Sequence, residues 1–588
     1  MPSKQARHLA DATLASCDDL ILKPSEKYSM KRISRTFYAA RELIVSIVLL
    51  ATTVGAWAAA DEEGFIFRDV GDKMGIFPHM AGIRGHAAAW GDVDNNGWPD
   101  LFVGTFHDAG SKPGMLLRNQ EGMFWLDKQK HLRTTGIGSG ALFLDLNNDG
   151  WMDLYVSTCA TSSAGVRSNP SQLFRNDGGG TFTDVSAQSG ACPAGYAGRG
   201  VATLDFDGDG LLDFVTCEQY YSSNVETGPV LYHNLGGFRF ENVSEAVGLP
   251  LGLGGLGVAA GDVNNDGWPD LFLTHGGGEH RLMLNDGNGR FHETSGARDM
   301  FRWQIKGEDD TPAGVCITDV NRDGLADIVI GNHFKSPWKT AAPVRLYLNR
   351  GVIKDVPTFE DISEAVGITP LEMKAPHVEI QDFDNDGWPD IYVSVIKFRD
   401  GQPYPVIFRN LGVRDGLPRF REDAWSVNDF PTPEDKAIRR SGTLFDKILE
   451  EKKIIYMAPG PSSDFNRDGK LDLFLASWWI ESPSLLLQNE TAGGNWLDVR
   501  IEGTDGVNRM GIGARVHLYP AGKLSDRAAL LGCREIAAGY GYCSGQEAIA
   551  HFGLGKQQVV DVEIILPHGK GKLTRRNIQA NQRVTIGL

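Results

Sequence analysis

The chain has 588 residues, of which 41% are hydrophobic and 23% charged, and its formal net charge is −17 at pH 7. This balance is typical of a globular protein and excludes a chain that is disordered throughout. The acidic excess, with no basic stripe to offset it, argues against nucleic acid as a partner.

The N-terminal 60 residues have the pattern of an export signal. A basic stretch begins at Met30-Lys31-Arg32, an apolar run covers residues 43–54, and small residues end the segment at 58–60. The apolar run is too short to favour a transmembrane helix, although an uncleaved anchor is the alternative. We therefore predict a leader at 1–29, with Met30 as an alternative start, and a signal peptide at 30–60. The mature chain would be extracellular, periplasmic or cell-surface, with no stable membrane span.

One acidic motif, D-x-[DN]-x-[DN]-G-x-x-D, occurs seven times and organises the rest of the chain. Oxygen-bearing side chains at positions 1, 3, 5 and 9, around a glycine at position 6, suit a hard cation such as Ca²⁺. No copy has the glutamate that an EF-hand needs at position 12, and strand-forming residues follow each loop. We predict up to seven Ca²⁺ ions, whose main role is to brace hairpins. The predicted ligands are Asp92, Asp94, Asn96, Asp100, Asp145, Asn147, Asp149, Asp153, Asp205, Asp207, Asp209, Asp213, Asp262, Asn264, Asp266, Asp270, Asp319, Asn321, Asp323, Asp327, Asp382, Asp384, Asp386, Asp390, Asp464, Asn466, Asp468 and Asp472.

The spacing of the motif predicts a seven-bladed β-propeller over residues 61–492. Successive first aspartates lie 53, 60, 57, 57, 63 and 82 residues apart, and each unit contains four short strand-like runs, the third ending in asparagine. The last unit lacks its fourth strand, whereas residues 65–70 at the start of the mature chain have the matching sequence. We predict that residues 65–70 pair in the blade of Asp464 and close the ring. Trp98, Trp268 and Trp388 are predicted to pack between blades.

Two further segments follow or interrupt the repeats. The longest gap contains an insertion at about 421–460, and residues 434–453 have the spacing of an amphipathic helix that would cap the outside of the ring. Residues 493–588 lack the acidic motif and contain alternating or apolar runs. They predict a small β-sandwich-like domain.

Loops on the rim opposite the acidic motifs are the better candidates for binding a partner, because such loops carry function in many folds. His86, Arg199 and His377 are predicted to converge at the mouth of the central channel. The full set of rim candidates is His86, His107, Arg199, Glu218, Tyr220, His275, His280, His333, Trp338, His377, Trp478 and Trp479. Solvated or packed side chains are the alternative interpretation of these residues.

Six cysteines lie beyond residue 60, and an exported chain permits disulfides. Cys533 and Cys543 are close enough in sequence for a local disulfide, and Cys159–Cys192 is a second candidate. Cys316 lies inside an apolar run and is predicted to be a buried free thiol.

The acidic loop with its following strand, asparagine and Phe-x-Asp-Val run resembles the FG-GAP/VCBS repeat of integrin α-subunit propellers. Gly511-Ile-Gly-Ala-Arg, Gly539-Tyr-Gly-Tyr and His551-Phe-Gly-Leu-Gly resemble the ASPIC/UnbV domain, although Leu566 stands where tryptophan is expected. Together they resemble the cartilage-acidic-protein family and its bacterial relatives. The resemblance implies a secreted calcium-binding propeller and implies no reaction.

These observations favour a non-enzymatic binding or adhesion module for extracellular protein or polysaccharide. The alternative is an enzyme that acts on polysaccharide at the rim rich in His, Arg and Trp, with His86 and His377 as acid–base residues.

Overall fold

The computed structural model describes residues 64–588, apart from residues 107–109, 135, 137, 159–169, 195–197, 218–227, 305–310, 334–340, 342, 354–355, 400–401, 423–424, 427–453, 458, 481–482 and 505. Strands dominate these residues, so the all-β prediction is confirmed. The helical elements of this part are α1 (Ser186–Ser189), α2 (Ala297–Met300) and 3-10 turns at Lys130–Leu132, Arg527–Ala529 and Pro567–Gly569. The predicted leader, signal peptide and helix at 434–453 lie outside the described residues.

After a first strand, β1 (Ile66–Asp69), the chain forms six antiparallel four-stranded meanders, one around each of the first six acidic loops. We number them sheets 1 to 6. Sheet 1 contains β2 (Gly85–Gly91), β3 (Asp100–Thr105), β4 (Met115–Gln120) and β5 (Met123–Leu126). Sheet 2 contains β6 (Gly138–Leu144), β7 (Asp153–Thr158), β8 (Gln172–Asn176) and β9 (Phe182–Asp184). Sheet 3 contains β10 (Val201–Leu204), β11 (Asp213–Thr216), β12 (Val230–Asn234) and β13 (Phe240–Asn242).

The next three sheets repeat the plan. Sheet 4 contains β14 (Val258–Gly261), β15 (Asp270–Leu273), β16 (Arg281–Asn285) and β17 (Phe291–Glu293). Sheet 5 contains β18 (Thr311–Thr318), β19 (Asp327–His333), β20 (Arg345–Ile353) and β21 (Val356–Asp361). Sheet 6 contains β22 (Val378–Gln381), β23 (Asp390–Arg399), β24 (Gln402–Arg414) and β25 (Leu417–Glu422). The second strand of each sheet is an apolar run whose described residues are almost all buried, which places the core between neighbouring sheets.

A seventh sheet combines the two ends of the repeat region. It contains β28 (Ser462–Ser463), β29 (Asp472–Leu475), β30 (Leu485–Asn489) and the N-terminal strand β1. In this sheet Phe67 of β1 lies opposite Asn489 and Asp69 lies opposite Leu487, in antiparallel register. Two short strands, β26 (Trp425–Ser426) and β27 (Ile454–Tyr456), pair with β1 and β23 respectively.

The asparagine at the end of each third strand joins its sheet to the preceding one. Its side-chain amide donates to the backbone carbonyl of the second residue of the preceding acidic loop, over 2.7–2.9 Å. The pairs are Asn176–Val93, Asn234–Leu146, Asn285–Phe206, Asn349–Val263, Asn410–Val320, Asn489–Phe383 and Asn119–Phe465. The last pair links sheet 1 to sheet 7. The order of neighbouring sheets therefore returns to its start, as in a propeller-like arrangement.

The C-terminal region forms two sheets. One contains β31 (Asn495–Glu502), β35 (Ala550–Gly555) and β38 (Gln582–Gly587). The other contains β32 (Arg515–Pro520), β33 (Gly532–Glu535), β36 (Val559–Ile565) and β37 (Lys572–Gln579). Apolar side chains of both sheets share one core, which continues into sheets 2 and 3. The region therefore packs against the repeats instead of standing apart from them.

A loop of this C-terminal region, residues 539–545, runs among the first strands of the repeat sheets. We call it the plug loop. Its strand β34 (Ser544–Gly545) pairs in parallel with Ala88 and Ala89 of β2, and Gly541 forms a bridge with Val315 of β18. Gly541 has φ of +79°, and a Cβ there would lie 2.6 Å from the His377 ring. Only glycine fits this close approach without strain.

The cysteines differ in part from the prediction. Cys533 and Cys543 are not bonded to each other, because Cys533 lies in β33, paired with β32, whereas Cys543 lies in the plug loop. Cys316 is a buried free thiol as predicted, and its burial raises its thiol pKa to about 12. Cys159 lies outside the described residues, so its pairing with Cys192 stays a prediction.

Within the part of the chain that the structure describes, no helix has both the length and the apolar character needed to span a bilayer.

Candidate metal loops and the channel-mouth cluster

Each acidic loop connects the first and second strands of its sheet and has the same backbone design. The glycine at position 6 has φ between +80° and +98°. Its N–H donates to a carboxylate oxygen of the aspartate at position 1, over 2.7–3.1 Å. The residue at position 4 also has positive φ in all seven loops. The sequence thus folds each loop back over its own first aspartate.

The aspartates at position 9, predicted as metal ligands, also hold the backbone. One oxygen accepts from the N–H of the third-strand asparagine at 2.7–2.9 Å in all seven loops. In loop 6, for example, the second oxygen of Asp390 accepts from the N–H of Phe383 at 3.1 Å. Burial raises the pKa of this carboxyl well above its ordinary value. Position 9 therefore connects each loop to the asparagine that bridges two sheets.

The seven loops fall into two groups according to position 3. Where it is aspartate, three carboxylates approach so closely that one oxygen from each lies within 4.8 Å of the others. These groups are Asp92–Asp94–Asp100, Asp205–Asp207–Asp213 and Asp382–Asp384–Asp390. Where position 3 is asparagine, its amide donates to the aspartate at position 5. These pairs are Asn147–Asp149, Asn264–Asp266, Asn321–Asp323 and Asn466–Asp468.

The electrostatics of position 1 fit a bound cation. One buried carboxylate oxygen of Asp92 and one of Asp382 have no hydrogen-bond partner. Burial is the main cause that raises the pKa of Asp92 to about 6, of Asp205 to about 7 and of Asp464 to about 8. Buried carboxylates crowded together are costly to ionise unless a positive charge compensates them. A hard divalent cation with oxygen ligands supplies that charge.

Basic side chains already reach some loops. The Nε of Arg409 donates to Asp384 at 2.8 Å, and Arg118 lies 3.7 Å from both Asp94 and Asp100. His233 Nε2 lies 3.1 Å from Asp207. Arg118, His233 and Arg409 each precede a third-strand asparagine, so these three loops differ from the others in local charge.

The tryptophans of the loops pack against neighbours. Arg322 stacks over Trp388 at 3.6 Å and Arg467 over Trp98 at 5.3 Å, so each arginine of one loop meets the tryptophan of the next. Trp268 packs instead on His568 of the C-terminal region, with ring centroids 4.6 Å apart.

The C-terminal region sits on these loops. The side-chain oxygen of Asn148 accepts from the backbone N–H of Arg509 at 2.8 Å, and Asn385 hydrogen-bonds His551 at 2.8 Å. Both asparagines occupy position 4. The C-terminal region therefore covers part of the face that carries the acidic loops.

The predicted convergence of His86, Arg199 and His377 is present, but it surrounds the plug loop. His377 is fully buried, and its Nδ1 accepts from the N–H of Tyr542 at 3.1 Å and from the Ser544 hydroxyl at 3.0 Å. Its Nε2 lies 3.0 Å from Glu379. His377 as an exposed rim ligand is therefore wrong, because the C-terminal region occupies its Nδ1 and Glu379 of β22 occupies its Nε2.

A cluster of basic and aromatic side chains lies beyond the plug loop, at the mouth opposite the acidic loops. Arg199 donates to the Tyr542 hydroxyl at 2.7 Å, and Lys374 Nζ lies 3.3 Å from His333 Nε2. The buried His86 ring lies 6.0 Å from the Tyr542 ring. We call Arg199, Tyr542, Lys374, His333 and His86 the channel-mouth cluster.

The other rim candidates are scattered. His275 lies at the end of β15, where its N–H donates to the buried His280, whose pKa burial lowers to about 3. Trp478 is half-buried against the His86 ring, 5.0 Å away. His107, Glu218, Tyr220 and Trp338 lie outside the described residues.

Sequence reasoning missed two groups of residues. The third-strand asparagines recur in the sequence, but the sequence does not indicate that they bond the neighbouring sheet. Tyr542 and Lys374 gave no repeat signal, and only the Gly-Tyr-Gly-Tyr run of the C-terminal region, which needs close backbone approach, marks the plug loop.

Fold and loops together define a class: proteins of repeated antiparallel sheets with acidic cation-type loops and an appended β domain. The FG-GAP-like repeat model matches residues 92–156, 160–216, 219–273, 262–330 and 319–393, and the ASPIC and UnbV model matches residues 503–587. The chain belongs to the FG-GAP-repeat proteins that carry a C-terminal ASPIC/UnbV domain.

Curated relatives agree with this assignment. The chain is 26% identical to "Cartilage acidic protein 1" of Xenopus tropicalis over 82% of its own length and 70% of that protein. It is 28% identical to the Mus musculus protein of the same name, over 74% of this chain and 62% of that protein. For the Homo sapiens protein the identity is 27%, over 77% and 63%. The chain thus spans about two thirds of the length of these relatives.

Two solved structures are similar in part. A lectin of Agrocybe aegerita that recognises non-reducing terminal N-acetylglucosamine matches with a TM-score of 0.35 and 15% identity, over 70% of this chain and 92% of that one. The BP39L lectin of Burkholderia pseudomallei matches with a TM-score of 0.39 and 14% identity, over 70% of this chain and 98% of that one.

Proposed function

We propose that the chain is an exported binding module: a closed seven-bladed propeller, braced by up to seven Ca²⁺ ions, that binds extracellular protein or polysaccharide. The main support for a stabilising role of the cations is a repeated set of hydrogen bonds, which joins each acidic loop to an asparagine and that asparagine to the preceding sheet. In each loop, the aspartate at position 9 orients the asparagine that bonds the neighbouring sheet. A cation held at positions 1, 3, 5 and 9 stiffens the joint between two blades.

The domain organisation supports the proposal. Strand β30 ends at Asn489 and β31 begins at Asn495, in keeping with a propeller at 61–492 and a β domain at 493–588. The N-terminal strand in the last sheet leaves the ring without a free edge at its seam. The export signal at 30–60, with the leader at 1–29, would deliver the chain to a compartment in which Ca²⁺ is abundant.

The arrangement favours binding over turnover. The enzyme alternative requires acid–base residues that reach a substrate. His377 is buried and fully hydrogen-bonded, and burial together with the Arg199 charge lowers the pKa of His86 well below its ordinary value. Neither residue is placed to exchange protons with a substrate. The exposed part of the rim therefore acts as a recognition surface.

A binding screen tests this function. The purified chain of residues 61–588 is applied to a glycan array and to a panel of extracellular matrix and cell-surface proteins, in calcium and in EGTA. We expect saturable binding in calcium that is lost when EGTA removes the brace. Absence of binding on every surface, or turnover of a polysaccharide without saturable binding, would contradict the proposal.

A further inference from the structure

The mouth of the channel opposite the acidic loops gathers basic side chains from four separate segments of the repeat region around one residue of the C-terminal region. We propose that the channel-mouth cluster binds an oxyanion of an acidic glycan, a carboxylate or a sulfate, and that Tyr542 is part of the site. This inference rests on the proposed binding function and specifies its ligand.

Geometry brings the donors to a common point. The Tyr542 hydroxyl is fixed by Arg199 at 2.7 Å, and the His333 and Tyr542 rings lie 6.1 Å apart. Lys374 Nζ lies 3.3 Å from His333 Nε2. These side chains come from segments far apart in sequence, so the fold, not local sequence, assembles them. Guanidinium, ammonium, imidazole and phenol are the donors that hydrogen-bond a carboxylate or sulfate.

The burial of the cluster is graded. His86 and Arg199 are buried at its floor, whereas Lys374 and His333 are mostly buried but retain some exposure at its edge. The Nδ1 of His333 is buried and has no hydrogen-bond partner. A polar atom left in this state is costly, and a ligand that satisfies it gains the difference.

The charges act in the same direction. Burial is the main cause that lowers the pKa of Lys374 to about 7, and the Arg199 guanidinium adds to it. The pKa of His333 lies well below its ordinary value. Burial is the largest cause, and the charges of Lys374 and Arg199 lower it further. Positive groups held this close repel one another. A bound oxyanion attracts each of these groups and so offsets their mutual repulsion.

An aromatic surface beside the cluster favours a sugar as the carrier of the anion. The Trp478 ring is half-buried, lies 5.0 Å from the His86 ring and has the Arg84 guanidinium 5.3 Å from its centroid. Phe106 packs on the same ring at 4.9 Å. A flat apolar face next to a few directed polar groups is typical of small-ligand sites.

Calorimetric titration of the calcium-loaded chain tests the inference. The probes are tetragalacturonate, its neutral methyl-esterified form, a chondroitin 4-sulfate tetrasaccharide, inorganic phosphate and a glutamate-rich peptide. We expect at least one acidic saccharide to bind at least about tenfold more tightly than the neutral form and than phosphate. The two acidic saccharides separate carboxylate from sulfate recognition.

Variants assign the site. Lys374→Met removes an edge charge, and Tyr542→Phe removes one hydroxyl while its ring still fills the plug loop. Each should weaken acidic-saccharide binding about tenfold or more. The matched control is Lys523→Met, which removes an exposed lysine of the C-terminal region whose Nζ lies 3.6 Å from Asp526. It should bind as the unaltered chain does, and all three variants should melt at similar temperatures.

Several results would overturn the inference: equal binding of neutral and acidic saccharides, binding of the peptide alone, or full affinity in both cluster variants. If no acidic saccharide binds while the array still finds other ligands, only this inference fails. If the array finds none, the proposed function fails with it.

Discussion

The asparagine of each third strand contributes more to the stability of the fold than the exposed residues of the turn that follows it. Asn349 donates to the carbonyls of Val263 and Ala326 at 2.9 and 3.0 Å, and its own N–H is held by Asp327. Replacement by alanine leaves two buried carbonyls without a donor. Because each lost partner of this kind costs about 1–3 kcal/mol, we expect Asn349→Ala to destabilise the fold by about 2–4 kcal/mol.

Denaturant unfolding of the calcium-loaded chain measures this change. The control is Asn288→Ala, an exposed turn asparagine in sheet 4, which should alter the free energy of unfolding by less than about 0.5 kcal/mol. Equal effects of the two substitutions would show that the inter-sheet bond contributes nothing.

Glycine at position 541 offers a second test at the residue scale. Gly541 and Gly522 have φ of +79° and +80°, but a Cβ has an atom of the His377 ring at 2.6 Å in the first case and no atom within 4 Å in the second. Both alanine substitutions strain the backbone to a similar degree, and Gly541→Ala adds a steric clash between its Cβ and the His377 ring. We expect it to lower the melting temperature clearly more than Gly522→Ala does. Equal melting temperatures would mean that the plug loop is not packed against His377.

Individual residues divide into those that the sequence identifies and those that it does not. Spacing identifies the loop aspartates, because position within a repeated motif fixes which side chains share a turn. It does not identify the environment of His377, since its partners Tyr542 and Ser544 are about 165 residues away in the chain. Nor does it show that Cys533 lies in β33 and Cys543, ten residues on, in the plug loop.

Among the elements, the acidic loops determine how stability depends on calcium and pH. The pKa of Asp464 is about 8 and that of Asp319 about 7, both raised from 3.8 mainly by burial. A carboxyl whose pKa is raised in the folded state stabilises the fold below its unfolded pKa, and this contribution is lost as the pH rises. The calcium-free chain should therefore lose stability as the pH rises from about 4 to about 8.

Urea unfolding in EGTA at several pH values measures this dependence. Calcium should remove most of it, because the ion compensates the ionised carboxylates, whereas protons compete with the ion at low pH. The difference in free energy between calcium-loaded and calcium-free chain should be larger at about pH 8 than at about pH 5.5. A difference that is the same at both pH values would mean that the loops hold no cation.

The strands of the repeat region were the most predictable elements. The apolar runs after the acidic loops are buried strands in all sheets, and Phe67 of β1 pairs with β30, the third strand of the Asp464 unit. The repeat makes this possible, since one unit predicts the others. The contacts of the C-terminal strands were less predictable, because their sequence has no internal copy and half of their core belongs to other sheets.

At the scale of the whole molecule, the C-terminal region covers the acidic loops on one side and passes the plug loop toward the other. The acidic loops on one face and Tyr542 on the opposite face are thus connected through the same region. Arg515 lies 3.3 Å from Asp262, and His568 hydrogen-bonds the carbonyl of Asp205 at 2.8 Å. If the loops hold cations as proposed, we expect loss of a cation to alter these contacts with the region that carries the plug loop. Sequence patterns within single segments do not predict these contacts between the C-terminal region and the acidic loops.

The calcium content of the chain tests the account most directly. The chain of residues 61–588 is equilibrated with calcium, separated by gel filtration and analysed by atomic mass spectrometry, with an EGTA-treated sample alongside. We expect several calcium ions per chain, up to one for each of the seven loops. EGTA should remove them and make the chain elute earlier, because its hydrodynamic volume increases. Less than one calcium ion per chain, with an elution unchanged by EGTA, would contradict the account.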